Sequence, residues 1–232
     1  MININNIGKA YNGKAVLNIE QNIEINTAEI IGLVGNNGAG KTTLFRLILD
    51  LIRADRGEVL LKNENVTAGE KWKEFTAAYL DEGFLIDYLT PEEYFYFIGK
   101  LHNKSKADVD EFLRNFEAFF DGNILNSGKY LRDFSKGNRF KVGIAACLLQ
   151  NPEILILDEP FANLDPSSQS RLLKMLKELN TQFRTTILIS SHDLSHITDA
   201  CTRILLLENG VLIKDILNEE NTLKELEDYF KV

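Results

Sequence analysis

The chain of 232 residues holds two cysteines, four prolines and one tryptophan, and none of its apolar runs is long. Runs such as "ILIL" at Ile154 to Leu157 fall far short of the ~20 residues a membrane-spanning helix needs, so direct membrane insertion is not expected. The opening "MININNIGKAY" lacks the basic start and apolar core of a signal peptide, which points to the cytoplasm. Cys147 and Cys201 show no metal-ligand spacing and sit among apolar residues, so buried reduced thiols are expected rather than a disulfide. A net charge of −8 and a pI near 5.0 argue against nucleic acid as the main partner. No internal repeat, low-complexity tract or Pro-rich linker divides the chain. What remains, 44% hydrophobic and 26% charged at 26.3 kDa, is an ordinary globular composition with enough length to bury a sizeable core.

Residues 1–34 alternate apolar and polar, with Asn12-Gly13 as a tight hairpin turn and "NTAE" as a second turn, which reads as antiparallel strands. Ile30 to Val34 is a β-rich run that meets a Gly-rich loop and then a long helical pattern. "GEVLLKNENV" returns to strand character. Thr90, Pro91 and Glu93 form a capping box with Pro at the first helical position, and the pattern stays helical to about Gln150. "EILILDEPF" is a buried strand ending in carboxylates, "SSQSRLLKMLKELN" an amphipathic helix, "TTILISSH" a second buried strand, and "RILLLENGVLIKD" a hairpin around Asn209-Gly210. "NTLKELEDYFKV" is a short amphipathic helix expected to pack back on the core. Strand and helix alternate, so the fold class is α/β with a helical insertion.

"GNNGAGKTT", Gly35, Asn36, Asn37, Gly38, Ala39, Gly40, Lys41, Thr42 and Thr43, fits G-x-x-x-x-G-K-[ST] between strand and helix, the context a phosphate-binding loop requires. Glycines let the backbone wrap phosphates, while successive N–H groups and the helix start supply donors and partial positive charge. Lys41 reaches the β and γ oxygens, Thr42 offers a hydroxyl to Mg²⁺, and Thr43 adds a contact to the α-phosphate. Asp158, ending "ILIL", can hold Mg²⁺ directly or through water. Glu159 follows, and strand alternation turns it toward an attacking water. Asn103 in "NKSK" lacks the acid that guanine recognition uses, which favours adenine.

With these motifs in this order the chain resembles the ATP-binding subunits of ABC transporters over nearly its whole length. The resemblance implies a P-loop NTPase (RecA-like) core with a mainly parallel sheet, an N-terminal antiparallel β subdomain and an inserted helical subdomain. A single domain 1–232 is expected, with the β and RecA-like core at about 1–83 and 146–232 and the helical signature subdomain at about 84–145. By the same resemblance, Tyr11 stacks on adenine, unless it is only a structural aromatic. Asp165 in "ANLDP" faces the opposite subunit, and His192 contacts the γ-phosphate and orients the water. His102 and His196 have no such placement and are expected at the surface.

The family's L-S-G-G-Q signature appears as "FSKGN", which keeps Ser135 and Gly137. In the resembled mechanism two subunits pair head to tail, and this segment of one closes over the ATP on the loop of the other. Lys136 replaces a glycine and Asn138 a glutamine. In "AAYLDEGFLIDYLT", Glu82 stands where the family carries a Gln that touches Mg²⁺ and relays to the membrane subunit. Both departures resemble the subfamily that drives ABC-2 type exporters. Phe84, Tyr88, Tyr94, Phe95, Tyr96 and Phe97 are expected mostly to pack the helical lobe, the rest lining a groove for a permease helix. The implied function is an Mg²⁺-dependent ATPase that forms a homodimer or heterodimer and powers a separate integral membrane permease, peripheral at the inner face of the cell membrane and working outward. The alternatives are a soluble ATP-gated interaction module and a phosphotransferase.

Overall fold

The computed structural model describes residues 1–230, apart from the side chain of Glu82. The Asn12-Gly13 and Asn209-Gly210 turns form as the sequence leads one to expect, each residue in left-handed backbone. They close the hairpins β1 (Ile2–Tyr11) to β2 (Lys14–Asn18) and β10 (Arg203–Glu208) to β11 (Val211–Leu217). A third hairpin lies within "GEVLLKNENV": Lys62 and Asn63 both take positive φ, and β5 (Arg56–Leu61) turns back onto β6 (Glu64–Asn65), the geometry of a two-residue primed turn. With β3 (Ile23–Ile25), these N-terminal strands make one antiparallel sheet, β2-β1-β5-β6, in which β3 pairs with β1.

The second sheet has the order β11-β10-β4-β9-β8-β7. Here β4 is Ile30–Val34, β7 Thr76–Tyr79, β8 Ile154–Asp158 and β9 Thr186–Ser191, and from β10 to β7 every pairing is parallel. The strand β7 is an addition to the expected elements, since "TAAY" carries little strand signal of its own. Its edge position is held by pairing with the apolar β8.

Strand alternation divides the interior. Leu155, Leu157, Ile187 and Ile189 face one core cluster, while Ile154, Ile156 and Leu188 face the other, as the two-residue period of a doubly covered sheet requires. The second face packs on α1 (Lys41–Ile48) and the antiparallel sheet. The first packs on the helices between β7 and β8.

That helical stretch is three helices rather than one run: α2 (Pro91–Leu101), α3 (Lys106–Phe120) and α4 (Lys136–Leu149). Asn103 and Asp121 in left-handed backbone separate them, conformations a helix cannot continue through. The capping box at Thr90 is present, and Ser105 with Asp108 makes a second one. From Phe140 to Leu149 every residue of α4 is buried, so it is a core helix. By contrast α5 (Pro166–Phe183) buries a narrow stripe at Ser168, Leu172 and Leu176. The short α6 (Leu194–Ala200) follows β9, and α7 (Thr222–Phe230) docks on the core through Leu226 and a Tyr229 hydroxyl that donates to Glu208 at 2.8 Å. Both cysteines are free and buried.

Candidate active site

In the parallel sheet Val34 pairs with Ser191, and Asp158 with Ser190. The carboxyl ends of β4, β8 and β9 are therefore level, the edge where open α/β sheets hold their ligands. After β4 the chain turns through residues 35–40 into α1. Gly40 caps that helix at φ 106°, a conformation that glycine takes without steric cost. No acid stands in the first turn of α1, so its free N–H groups present an uncompensated positive end. Lys41 is only 5% exposed. Its Nζ donates to the Gly35 carbonyl at 2.7 Å and reaches that of Asn36 at 3.4 Å.

Thr42 donates its hydroxyl to Asp158 Oδ2 at 2.5 Å, and the other Asp158 oxygen accepts from the Ser190 hydroxyl. A hydroxyl and a carboxylate side by side are the hard oxygen donors a divalent cation takes. Among the described residues no group of three or more His, Cys, Asp or Glu could hold a metal by itself. A cation here needs further oxygens from phosphate and water, as Mg²⁺ at nucleotide sites does.

Glu159 departs from expectation in how it is aimed. It lies beyond the end of β8 at φ 51°, so a left-handed kink turns the side chain rather than strand alternation. Such backbone costs about 1–2 kcal/mol for a non-glycine residue and persists where its surroundings fix it. Here the Glu159 N–H donates to Ser190 Oγ at 2.9 Å. The carboxylate Oε2 lies 2.8 Å from His192 Nδ1 and accepts the His192 backbone N–H at 3.3 Å, while Oε1 is 3.4 Å from Lys41 Nζ. Ser190 thus orients both acids, a role the sequence reading missed; two serines closing an otherwise apolar strand were its one visible sign.

A cavity of about 220 Å³ over the loop is lined by Val16, residues 37–43, Asp158 and Glu159. A second, of about 450 Å³, shares the two acids and extends to Asp81, Lys136 and Asn163. A larger cavity, about 610 Å³, lies on the helical lobe around Tyr96 and Asp110 and contains none of these groups; chemistry, not size, locates the site.

The remaining candidates are not gathered there. Tyr11 ends β1, 44% exposed with Lys9 Nζ 5.5 Å from its ring centroid, and Val16 rather than Tyr11 lines the loop cavity. Ser135 N-caps α4, accepting the Asn138 N–H at 3.3 Å, and neither it nor Gly137 lines either cavity. Asp165 N-caps α5. It accepts from the hydroxyls of Ser167 and Ser168 at 2.7 and 2.6 Å and from both their N–H groups, bonds that hold its carboxyl well below the usual range. The metal-contact reading of Glu82 concerns a side chain outside the described residues. His196 is half-buried and stacked on Phe161, centroids 4.8 Å apart, rather than free at the surface, and His102 is half-buried too.

Comparison with known proteins places this geometry. A family model described as ABC transporter matches residues 20–162, more than half of the chain; a second, described as an AAA domain, putative AbiEii toxin, matches residues 128–197. The chain is 30% identical to the ABC transporter ATP-binding protein YhcH of Bacillus subtilis, over 99% of its own length and 74% of that protein's. It is 30% identical to the methionine import ATP-binding protein MetN of Carboxydothermus hydrogenoformans, over 93% of its own length and 66% of that protein's, so both relatives are longer. A solved ATP-binding subunit of an ABC transporter superposes with a TM-score of 0.85 at 26% identity, covering all of this chain and 93% of that one.

Proposed function

The chain belongs to the ABC transporter family, and from that premise we propose that it is the ATP-hydrolysing subunit of a transport machine, dimerising on ATP and driving a separate membrane permease. It is an ATPase of the α/β P-loop class that uses ATP with Mg²⁺. The observation that carries the reading is the convergence of Lys41, Thr42, Asp158, Glu159 and His192 on one sheet edge.

Each residue then has a chemical task. The loop N–H groups and the start of α1 bind the phosphates. Lys41 neutralises their charge, and its bond to Gly35 keeps the ammonium from collapsing away. Thr42 and Asp158 would hold Mg²⁺, which when bound would polarise the phosphate oxygens and offset charge building in the transition state. Glu159, beyond the strand and outside the Thr42–Asp158 hydrogen bond, takes the proton of an attacking water. His192 holds that carboxylate by its ring and backbone N–H.

Ser135 and Gly137 support the dimeric part. They lie outside the cavity their own chain builds over the phosphate loop, as a half-site meant for a second copy would. Division into a β and RecA-like core and a helical subdomain at about 84–145 belongs to the same proposal. Among the described residues no helix is long and apolar enough to cross a membrane, and the proposal gives substrate movement to a separate permease. Phe84, Tyr88 and Phe97 are exposed while Tyr94 and Phe95 are buried, and the exposed three, with Arg132 against the Tyr88 ring at 4.9 Å, are the face proposed for the permease. The Ser135–Asn138 variant supports outward movement; relatives named for methionine import make transport by reconstituted vesicles the test of direction.

Purified protein should release phosphate from ATP only with Mg²⁺, and a six-helix class of membrane protein should co-purify from solubilised membranes. Absence of Mg²⁺-dependent release overturns the enzymatic reading; a soluble partner in place of the permease overturns the transport reading.

A further inference from the structure

Gly137 and Lys141 stand four residues apart in α4, on one helix face, and both meet the loop between β8 and α5. A Cβ at Gly137 would lie 2.8 Å from the carbonyl oxygen of Asn163, so no side chain fits between the two backbones. One turn on, Lys141 is buried to 4% exposure. Its Nζ lies 2.5 Å from Asp121 Oδ2 and 3.7 Å from Asp165 Oδ2. Asp121 caps the C-terminus of α3, and its second oxygen accepts from Arg171 on α5 at 2.6 Å. The chain of contacts runs from α4 to the end of α3, across to α5, and back along α5 to Asp165 at its start.

Taking an ammonium out of water is costly unless it is paired and hydrogen-bonded. An apolar side chain of similar length would fill the space without that cost, so a charge at this position is better explained by geometry than by stability. The geometry is specific. The ammonium spans two carboxylates on different elements, one ending α3 and the other starting α5. Lys141, and after it Arg171, also holds the Asp121 carboxyl below the ordinary range.

We propose that Lys141 is a positioning residue that ties the first turn of α4, with Ser135 and Gly137, to the loop carrying Asn163 and Asp165, so that the two segments turned toward a second copy move as one piece. The tie itself stands on the contacts above; its consequence for hydrolysis rests on the dimeric reading of the site. Nothing in it touches the phosphate loop.

The test compares wild type with Lys141→Met, Lys141→Arg and Arg171→Met, by amide hydrogen exchange and by ATP hydrolysis. In Lys141→Met, exchange in residues 163–168 and 135–139 should rise about tenfold or more while β8 and β9 stay protected. Its kcat should fall about tenfold with KM for ATP within about threefold of wild type, the pattern of an interaction that acts beyond ground-state binding. Lys141→Arg keeps a cation and should recover most of both. Arg171→Met removes a half-exposed cation and leaves Lys141 paired, so it reports even if Lys141→Met does not fold; a smaller change of the same sign is expected. Unchanged loop exchange in the folded Met variants, or no recovery with Arg, overturns the tie. A wild type that does not hydrolyse ATP would sink the proposed function instead, and the exchange data would still decide whether Lys141 holds the loop.

Discussion

The Glu159 carboxylate lies 2.8 Å from Nδ1 of His192 and 3.4 Å from Nζ of Lys41. Two side chains, one just past the end of β9 and the other at the start of the helix that follows β4, thus share the carboxylate of a residue just past the end of β8. The strand register makes this possible: with Val34 level with Ser191 and Asp158 level with Ser190, Glu159 and His192, each one residue beyond its strand, are within reach of each other, and the loop after β4 brings Lys41 back to the same edge. The left-handed turn at Glu159 does the rest.

Glu159→Gln removes the base and keeps the shape. Phosphate release should fall about 10²- to 10⁴-fold, while binding of a fluorescent ATP analogue changes little. An equal loss of binding and turnover would mean Glu159 supports the loop rather than the water.

Thr42→Val and Asp158→Asn take one oxygen each from the proposed cation site. Titrating Mg²⁺ against hydrolysis should show the half-saturating concentration rise in both variants, with ATP binding in the absence of Mg²⁺ near that of wild type. An Mg²⁺ response like wild type's would place the cation elsewhere.

Gly40→Ala introduces a side chain at φ 106°, beside the Val16 carbonyl and Leu17 at 3.1 Å. The conformational cost is about 1–2 kcal/mol, which for a chain of this size lowers Tm by roughly 2–8 °C. ATP affinity should drop as well, because the loop can recover its stability only by abandoning the turn.

Burial pushes the Cys147 thiol up to about 12 and raises that of Cys201 as well. Neither forms thiolate near neutrality, and thiolate is the reactive form. A thiol-colouring reagent at pH 8 should therefore find none in the folded chain and both cysteines after denaturation.

Asp121 and Asp165 are held below the ordinary carboxylate range, the first chiefly by Lys141 and the second by Ser167 and Ser168. A carboxyl that is more acidic folded than unfolded stabilises the fold when ionised. That contribution is complete above the unfolded value, near 4, and is lost as pH falls through the folded one. Urea midpoints should decline from about pH 5 toward pH 2, and Asp121→Asn should show a shallower decline. An identical slope would remove these groups from the acid response.

Much of the catalytic edge was legible in the sequence because its chemistry is local. A phosphate loop needs its glycines, lysine and hydroxyl within nine consecutive positions, and an apolar strand ending in Asp158 and Glu159 announces two acids at a sheet edge. The hairpins at Asn12-Gly13 and Asn209-Gly210 were legible for the same reason. What was not legible depends on distant or subtle geometry. The kink at Glu159 is fixed by Ser190, 31 residues on. Tyr11 could be matched to an adenine contact by position alone, and nothing in the local pattern signalled that Val16, on β2, lines the cavity over the phosphate loop. Asp165 was readable from "DPSS" as a helix cap, Asp before Pro at the first helical position, and that local signal was passed over. The pairing of Lys141 with Asp121 joins two helices and leaves no trace in spacing.

The dimer is the part of the proposal on which the rest turns, and mass in solution tests it most directly. Glu159→Gln should bind ATP with Mg²⁺ and hydrolyse it too slowly to matter during the run. Light scattering on its eluted peak should then give about twice 26.3 kDa with ATP and Mg²⁺, and about 26.3 kDa without. A variant that binds ATP to saturation and still elutes at the single-chain mass would contradict a site completed by Ser135 and Gly137 of a second copy.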